Sequence, residues 1–144
     1  MKKLLLILII TLLTGCAGSA LAPSNEDKIA KQFQPPTDGT SNLYIYRDFS
    51  WGVSLGIEIY VDGKYIATTG ADTYAYLTNL KPGKYKVESY LSVSDWTSWI
   101  IVDLEPNKNT YIWQDLKLGQ KVYLREVTEK VGKIGVKESK LLLH

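Results

Sequence analysis

Residues 57–67, Ile-Glu-Ile-Tyr-Val-Asp-Gly-Lys-Tyr-Ile-Ala, decide the fold. Ile57, Ile59 and Val61 alternate with more polar neighbours, and this period of two predicts a strand with one buried face. Asp62-Gly63 follows directly and leads into a second run, Lys64–Ala67. A two-residue Asp-Gly turn suits type I′ geometry because both central residues take positive φ, so the stretch predicts a β-hairpin.

The alternation continues on both sides of this hairpin. Leu43 and Ile45 alternate with Tyr44 and Tyr46, and further strands are predicted over Thr73–Leu77, Lys84–Val93, Trp99–Glu105, Thr110–Leu116 and Lys121–Val127. Short strands separated by turns such as Lys81-Pro82-Gly83 predict an all-β fold over residues 42–144. We expect a small antiparallel β-sandwich of seven to eight strands, immunoglobulin-like or transthyretin-like. The basic C-terminal tail from residue 128 is predicted to form either a short helix or a last edge strand.

The residue inventory excludes several classes of function. The 144 residues include ten Tyr and four Trp, but one His and one Cys. Cysteine–histidine and serine–histidine catalysis, zinc fingers and an internal disulfide framework need more of these two residue types. No catalytic residue, metal site or cofactor is therefore predicted. Asp103 and Glu105 share one strand face, which favours a solvated face over the carboxylate pair of a glycosidase.

The N-terminus predicts export and a lipid anchor. Lys2 and Lys3 precede the apolar run Leu4–Leu13, which is typical of a secretory signal and shorter than the ~20 residues that span a bilayer. Leu13-Thr14-Gly15-Cys16 resembles the lipobox of bacterial lipoproteins, whose cysteine is acylated and becomes the new N-terminus. The resemblance implies a lipoprotein signal peptide over residues 1–15 and a lipid bilayer bound through acylated Cys16. Ala17 in place of Asp implies the outer membrane, with the domain facing the periplasm.

The segment after the anchor predicts a tether. Residues 16–41 are rich in small and polar residues and contain Pro35-Pro36, a composition typical of a flexible linker. A short helix across Glu26–Gln32 is possible, because Ser24 or Asn25 could cap it. Removal of residues 1–15 takes away Lys2 and Lys3 and leaves basic and acidic residues equal in number, which argues against a nucleic-acid partner.

Several motifs fall in the order and approximate spacing of a known family. The chain resembles the bacterial lipoprotein family known as domain of unknown function 2846, and the resemblance covers most of residues 30–127. No activity is established for that family, so the resemblance implies a location and a fold. The matching motifs are Ala30-Lys31-Gln32-Phe33, Pro35-Pro36, Leu43-Tyr44-Ile45-Tyr46-Arg47, Val61-Asp62-Gly63-Lys64 and Leu80-Lys81-Pro82-Gly83-Lys84.

Five residues are candidates for a ligand or partner surface. Arg47 could pair bidentately with a carboxylate or phosphate, or it could make a cross-strand ion pair that closes the sheet. Four aromatic residues lie in or beside the Asp48–Leu55 and Ser94–Ser98 connections, where they could stack on sugars, anchor a protein, or cover the open ends of the sandwich. These four are Phe49, Trp51, Trp96 and Trp99.

Together these features predict a membrane-anchored lipoprotein of the cell envelope that is not an enzyme and acts as a binding or assembly module. An envelope protein or peptidoglycan is the expected partner. The alternatives are an envelope enzyme acting on peptidoglycan or glycan, and a structural lipoprotein subunit of a secretion apparatus. Residues 117–144 hold seven basic and three acidic residues, so this tail is a further candidate for contact with an anionic surface.

Overall fold

A computed structural model of the protein describes residues 18–48 and 55–144. Within these ranges the chain forms nine strands, two α-helices and one 3₁₀ turn, and no helix is long and apolar enough to cross a membrane. In chain order the elements are α1 (Ser24–Ala30), β1 (Ser41–Arg47), β2 (Ile57–Val61), β3 (Lys64–Thr69), β4 (Thr73–Leu80), β5 (Gly83–Leu91), the 3₁₀ turn (Ser92–Ser94), β6 (Trp96–Leu104), β7 (Asn109–Lys117), β8 (Lys121–Val127), α2 (Glu129–Glu138) and β9 (Lys140–Leu141).

The strands form two sheets that pack face to face, which confirms the prediction of an all-β sandwich. One sheet has five strands in the order β8-β7-β1-β4-β9, and the other has four in the order β3-β2-β5-β6. The inward side chains of both sheets make one apolar core that includes Leu43, Ile59, Val87, Val102 and Ile112. Burial of these aliphatic side chains is the main force holding the two sheets together.

Two pairings differ from the predicted antiparallel arrangement. β1 pairs in parallel with β7, and β4 pairs in parallel with β9. Parallel neighbours need a crossover connection, and here the chain builds strands of the second sheet before it returns as β7. The five-stranded sheet is therefore mixed, while the four-stranded sheet is antiparallel throughout.

The predicted hairpin is confirmed. Val61 pairs with Lys64, so Asp62 and Gly63 form a two-residue turn with φ values of 48° and 76°. Positive φ at both positions is the type I′ geometry that the Asp-Gly pair indicates.

The segment predicted as a flexible tether is folded from residue 18 onward. α1 forms within it, although neither Ser24 nor Asn25 caps the helix with its side chain. Ala30 and Phe33 are buried at 3% and 6% exposure against tyrosines on the outer face of the five-stranded sheet. Composition missed this packing because two apolar anchors are enough to dock a mostly polar segment.

The C-terminal tail contains both of the alternatives left open by the sequence, since α2 is followed by the short edge strand β9. Two large apolar residues of the helix, Val131 and Ile134, do not pack on the sheet, because they are 47% and 53% exposed, whereas Val136 is fully buried. The helix packs through Val136 together with Gly132 and Gly135, where an added Cβ would lie 2.3 Å from Tyr111 Cγ and 2.1 Å from Tyr46 Cε2. The helix backbone therefore lies directly on tyrosine rings, and α1 and α2 together cover the outer face of the five-stranded sheet.

Candidate functional site

The outer face of the four-stranded sheet has no helix over it in the part of the chain that the structure describes. The alternation of β2 sends Ile57, Ile59 and Val61 into the core and leaves Glu58 and Tyr60 on the outside. β5 and β6 follow the same rule with Val87, Leu91, Val102 and Leu104 inside. The outward side chains of these strands form the candidate site.

Strand register brings aromatic residues from three strands into one row. Tyr60 pairs with Tyr65 on one side and with Glu88 on the other, and Glu88 pairs with Trp99. Neighbouring strands lie ~4.8 Å apart, so the row Tyr65–Tyr60–Glu88–Trp99 crosses the whole sheet. Tyr90 lies in the next row, opposite Glu58. We call the surface made by Tyr60, Tyr65, Tyr90 and Trp99 the aromatic face.

The rings of the aromatic face are accessible. The Trp99 side chain is 57% exposed and that of Tyr65 is 48% exposed. Tyr60 and Tyr65 meet edge to face, with ring centroids 5.7 Å apart. A shallow cavity of about 310 Å³ lies beside them and is lined by Tyr60, Gly63, Glu88, Tyr90 and Thr97.

Polar groups surround these rings. The Tyr60 hydroxyl donates a hydrogen bond to Glu58, and the Tyr90 hydroxyl donates one to Asp95 Oδ1 at 3.1 Å. Each hydrogen bond to a carboxylate raises the pKa of the tyrosine that donates it. Lys86 Nζ lies 2.7 Å from Glu88 Oε1 and 5.5 Å from the centre of the Trp99 ring. Flat apolar rings beside hydrogen-bonding groups suit a ligand with weakly polar faces and hydroxyl groups, such as a sugar.

Arg47 does not lie on this face or on any other surface, since it is fully buried. Its Nη1 donates hydrogen bonds to the backbone carbonyls of Leu55 at 2.6 Å and Thr69 at 3.3 Å. Burial lowers the pKa of the guanidinium, while the nearby charges of Asp48 and Asp72 act in the opposite direction. Arg47 ties the end of β1 to the second sheet, and its burial removes it from the candidate surface.

The structure places Trp96 and Trp99 within β6 and not in a connection. The strand begins at Trp96 because Asp95 takes a left-handed conformation, with φ 49°, and ends the 3₁₀ turn. Trp96 is partly buried, and its Nε1 donates a hydrogen bond to the carbonyl of Val122 at 3.0 Å. Trp96 therefore covers one end of the core, whereas Trp99 points outward. Cys16, Phe49 and Trp51 lie outside the described residues.

Tyr60, Tyr65 and Tyr90 belong to the site, but sequence reasoning did not select them. The alternation of β2 and β5 already indicated that Tyr60 and Tyr90 point away from the core. The missing information was which outward face the rest of the chain covers, and no local pattern contains it.

Asp103 and Glu105 lie at a second, acidic cavity of about 330 Å³, whose other lining residues include Glu126 and Glu129. Glu105 forms an ion pair with Lys108, and Glu129 forms one with Lys133 at 2.5 Å. Two of the four carboxylates are therefore already paired. In the described ranges, no group of three or more His, Cys, Asp or Glu side chains could hold a metal ion.

No protein-family model matches the chain. An uncharacterized protein of Haemophilus influenzae is 39% identical over 127 residues, which cover 85% of this chain and 73% of that protein. The NMR structure of a protein from Eubacterium rectale aligns with a TM-score of 0.44 and 15% identity, over 65% of this chain and 94% of that chain.

Proposed function

The chain belongs to the same family as the uncharacterized Haemophilus influenzae protein, and we propose for it the role of a membrane-anchored, non-enzymatic binding module of the cell envelope. Its proposed ligand is the glycan strand of peptidoglycan, bound on the aromatic face. The proposed anchor is acylated Cys16 in the outer membrane, with the domain on the periplasmic side. This is the side on which a protein of the outer membrane meets the cell wall.

One observation carries the proposal, namely the uncovered row of aromatic residues across the four-stranded sheet. Trp99 and Tyr65 leave about half of their surface in water, although the same fold buries several other tyrosines completely. Exposed aromatic clusters of this kind mark binding surfaces, because Trp and Tyr bury a large apolar area with few rotatable bonds. The adjacent carboxylates and hydroxyls supply acceptors and donors for sugar hydroxyls.

Binding to purified peptidoglycan sacculi tests this proposal. Trp99→Ala removes one end of the aromatic row, and we expect the affinity to fall about tenfold, since one aromatic stack contributes ~1 kcal/mol or more. Tyr60→Ala should weaken binding similarly. Tyr123→Ala is the matched control, because Tyr123 is 43% exposed but lies on β8 in the other sheet.

Two results would overturn the proposal. One is the absence of binding to sacculi, and the other is equal binding by all three variants and the unsubstituted chain. Thermal melting of each variant shows whether a loss of binding reflects a loss of fold.

The acidic cavity favours one other function, an enzyme acting on the same polymer. Asp103 and Glu126 both line it, and within the described residues neither forms an ion pair. A hydrolase would release soluble fragments from sacculi, and Asp103→Asn would abolish that release. Binding without any release, unchanged by Asp103→Asn, favours the binding module.

A further inference from the structure

The first described residues are attached to both sheets at once. The Ser19 N–H donates to the carbonyl of Thr68 in β3 at 3.0 Å, and the Thr68 N–H donates to Ser19 Oγ at 2.8 Å. On the other side, the Leu143 N–H donates to the Ala20 carbonyl at 2.8 Å, and the Ala22 N–H donates to the Leu141 carbonyl at 2.9 Å. Residues 18–22 therefore close the edge of the sandwich between β3 and β9.

This attachment limits how far the domain can lie from its anchor. Cys16 is two residues before Gly18, so the two Cα atoms are at most ~7 Å apart. A flexible tether reaching to residue 41 would have allowed on the order of 80 Å. If Cys16 is acylated, as the proposed function requires, the β3–β9 edge must lie close to the headgroups.

The chemistry of this edge fits a lipid surface. Leu21, Tyr65 and Leu143 are 50%, 48% and 47% exposed, and Lys140 is exposed and lines a cavity with Leu21. Tyr suits the boundary between headgroups and acyl chains because its ring is apolar and its hydroxyl is polar. A lysine near an anionic membrane contributes ~1 kcal/mol of attraction.

We propose that this anchor edge, formed by residues 18–22, Tyr65 and residues 140–143, is a membrane-docking surface that holds the domain directly against the lipid headgroups. The inference rests on the proposed lipid anchor and gives the domain a fixed orientation. Tyr65 is then the nearest member of the aromatic row to the bilayer. Trp99 is the farthest, three strand spacings or ~14 Å away, so the row extends from the membrane toward the cell wall.

Lysine footprinting on vesicles tests the orientation. The lipidated protein purified from membranes is reconstituted into vesicles that contain anionic phospholipid, and a water-soluble acylating reagent labels its lysines. We expect the labelling rate of Lys140 to fall at least threefold relative to the protein in detergent. Lys121 is the matched control, since it begins β8 at the opposite edge of the five-stranded sheet, and its rate should stay the same.

A variant with 15 Gly/Ser residues inserted between Ala17 and Gly18 isolates the effect of the short link. Its Lys140 rate should return to the value in detergent, because the domain can then leave the surface. Equal labelling rates of Lys140 in vesicles and in detergent, for the protein without the insertion, would overturn the docking surface. If Lys140 stays protected in the variant with the insertion, the short link between Cys16 and Gly18 is not the cause of the protection.

The same lysine-labelling experiment can be carried out even if cells do not acylate the protein. Every described helix and strand lies after residue 17, so a chain that begins at Cys16 retains all of them, and its single thiol can be coupled to a maleimide lipid. Protection of Lys140 in the coupled chain but no acylation in cells would contradict the proposed anchor while supporting the docking surface. Acylation in cells without protection of Lys140 would support the proposed anchor and contradict the docking surface.

Discussion

Gly135→Ala should undock α2 from the five-stranded sheet. An added Cβ at residue 135 would lie 2.1 Å from Tyr46 Cε2, whereas ordinary contacts begin at 3.4 Å, so the helix or the ring must move by about 1.3 Å. Neither can move freely, because Tyr46 is 3% exposed and Val136 of the same helix is fully buried. The added methyl group should therefore disturb the whole packing contact between α2 and the sheet.

The magnitude follows from two opposing effects. Overpacking a close contact typically costs 1–3 kcal/mol, and the displacement needed here favours the upper half of that range. Alanine improves helix propensity over glycine by ~1 kcal/mol. We therefore expect the free energy of unfolding to fall by ~1–2 kcal/mol.

Urea denaturation monitored by circular dichroism measures this change. Ile134→Ala is the control, because Ile134 lies in the same helix and is 53% exposed, so the substitution changes helix propensity without adding an atom against the sheet. We expect the control to change the stability by less than 0.5 kcal/mol. A Gly135→Ala chain as stable as the unsubstituted one would refute the close packing of α2 on Tyr46.

Three further outcomes are expected. The Tyr111 hydroxyl is buried without a hydrogen-bond partner in the described residues, so Tyr111→Phe should leave the melting temperature unchanged or raise it. Tyr44→Phe is the contrasting variant, because it loses a hydrogen bond to the Ala30 carbonyl and should lower the free energy of unfolding by ~1 kcal/mol. Burial favours a raised pKa at Asp27, but hydrogen bonds from Lys31, Tyr74 and the Leu141 N–H outweigh it and hold the pKa below its usual 3.8. The resulting stability is present above that value and is lost as the pH falls through the lower folded pKa, so acid titration of unfolding should show a slope that Asp27→Asn reduces. Gly63→Val should lower the melting temperature by the equivalent of ~1–3 kcal/mol because φ is 76° there, whereas Gly70→Val, with no positive φ and open space around it, should not.

The sandwich could be predicted because its evidence is local. Alternation within each strand shows which side chains face the core, and the Asp62-Gly63 pair shows where the chain turns. The packing of both ends of the chain could not be predicted in this way. Residues 18–41 dock through Ala30 and Phe33 and through backbone hydrogen bonds of residues 19–22, and α2 docks through two glycines beside Val136, which hydrophobic periodicity does not count.

The candidate site, too, could be predicted from the sequence only in part. Trp96 and Trp99 are three residues apart, so on one strand they must point to opposite faces, and the structure has one covering the core end and the other on the outer sheet face. The prediction placed both residues in or beside the Ser94–Ser98 connection and began the strand only at Trp99, which hid this difference. Arg47 could not be placed from the sequence, because its burial depends on contacts with Leu55, in the segment before β2, and with Thr69, at the end of β3.

The two sheets use tyrosine in opposite ways, and this difference supports the proposed ligand surface. On the covered sheet, the hydroxyls of Tyr44 and Tyr74 bond to Ala30 and Asp27 of α1, so the helix supplies both the polar partner and the cover for the rings. On the bare sheet, the hydroxyls of Tyr60 and Tyr90 bond to Glu58 and Asp95 of their own sheet and its adjoining turn. Their polar groups are thus satisfied without a covering element, and both residues remain partly exposed. Exposed apolar area of this kind is released from water when a flat ligand stacks on it, which is the physical reason to place the glycan there.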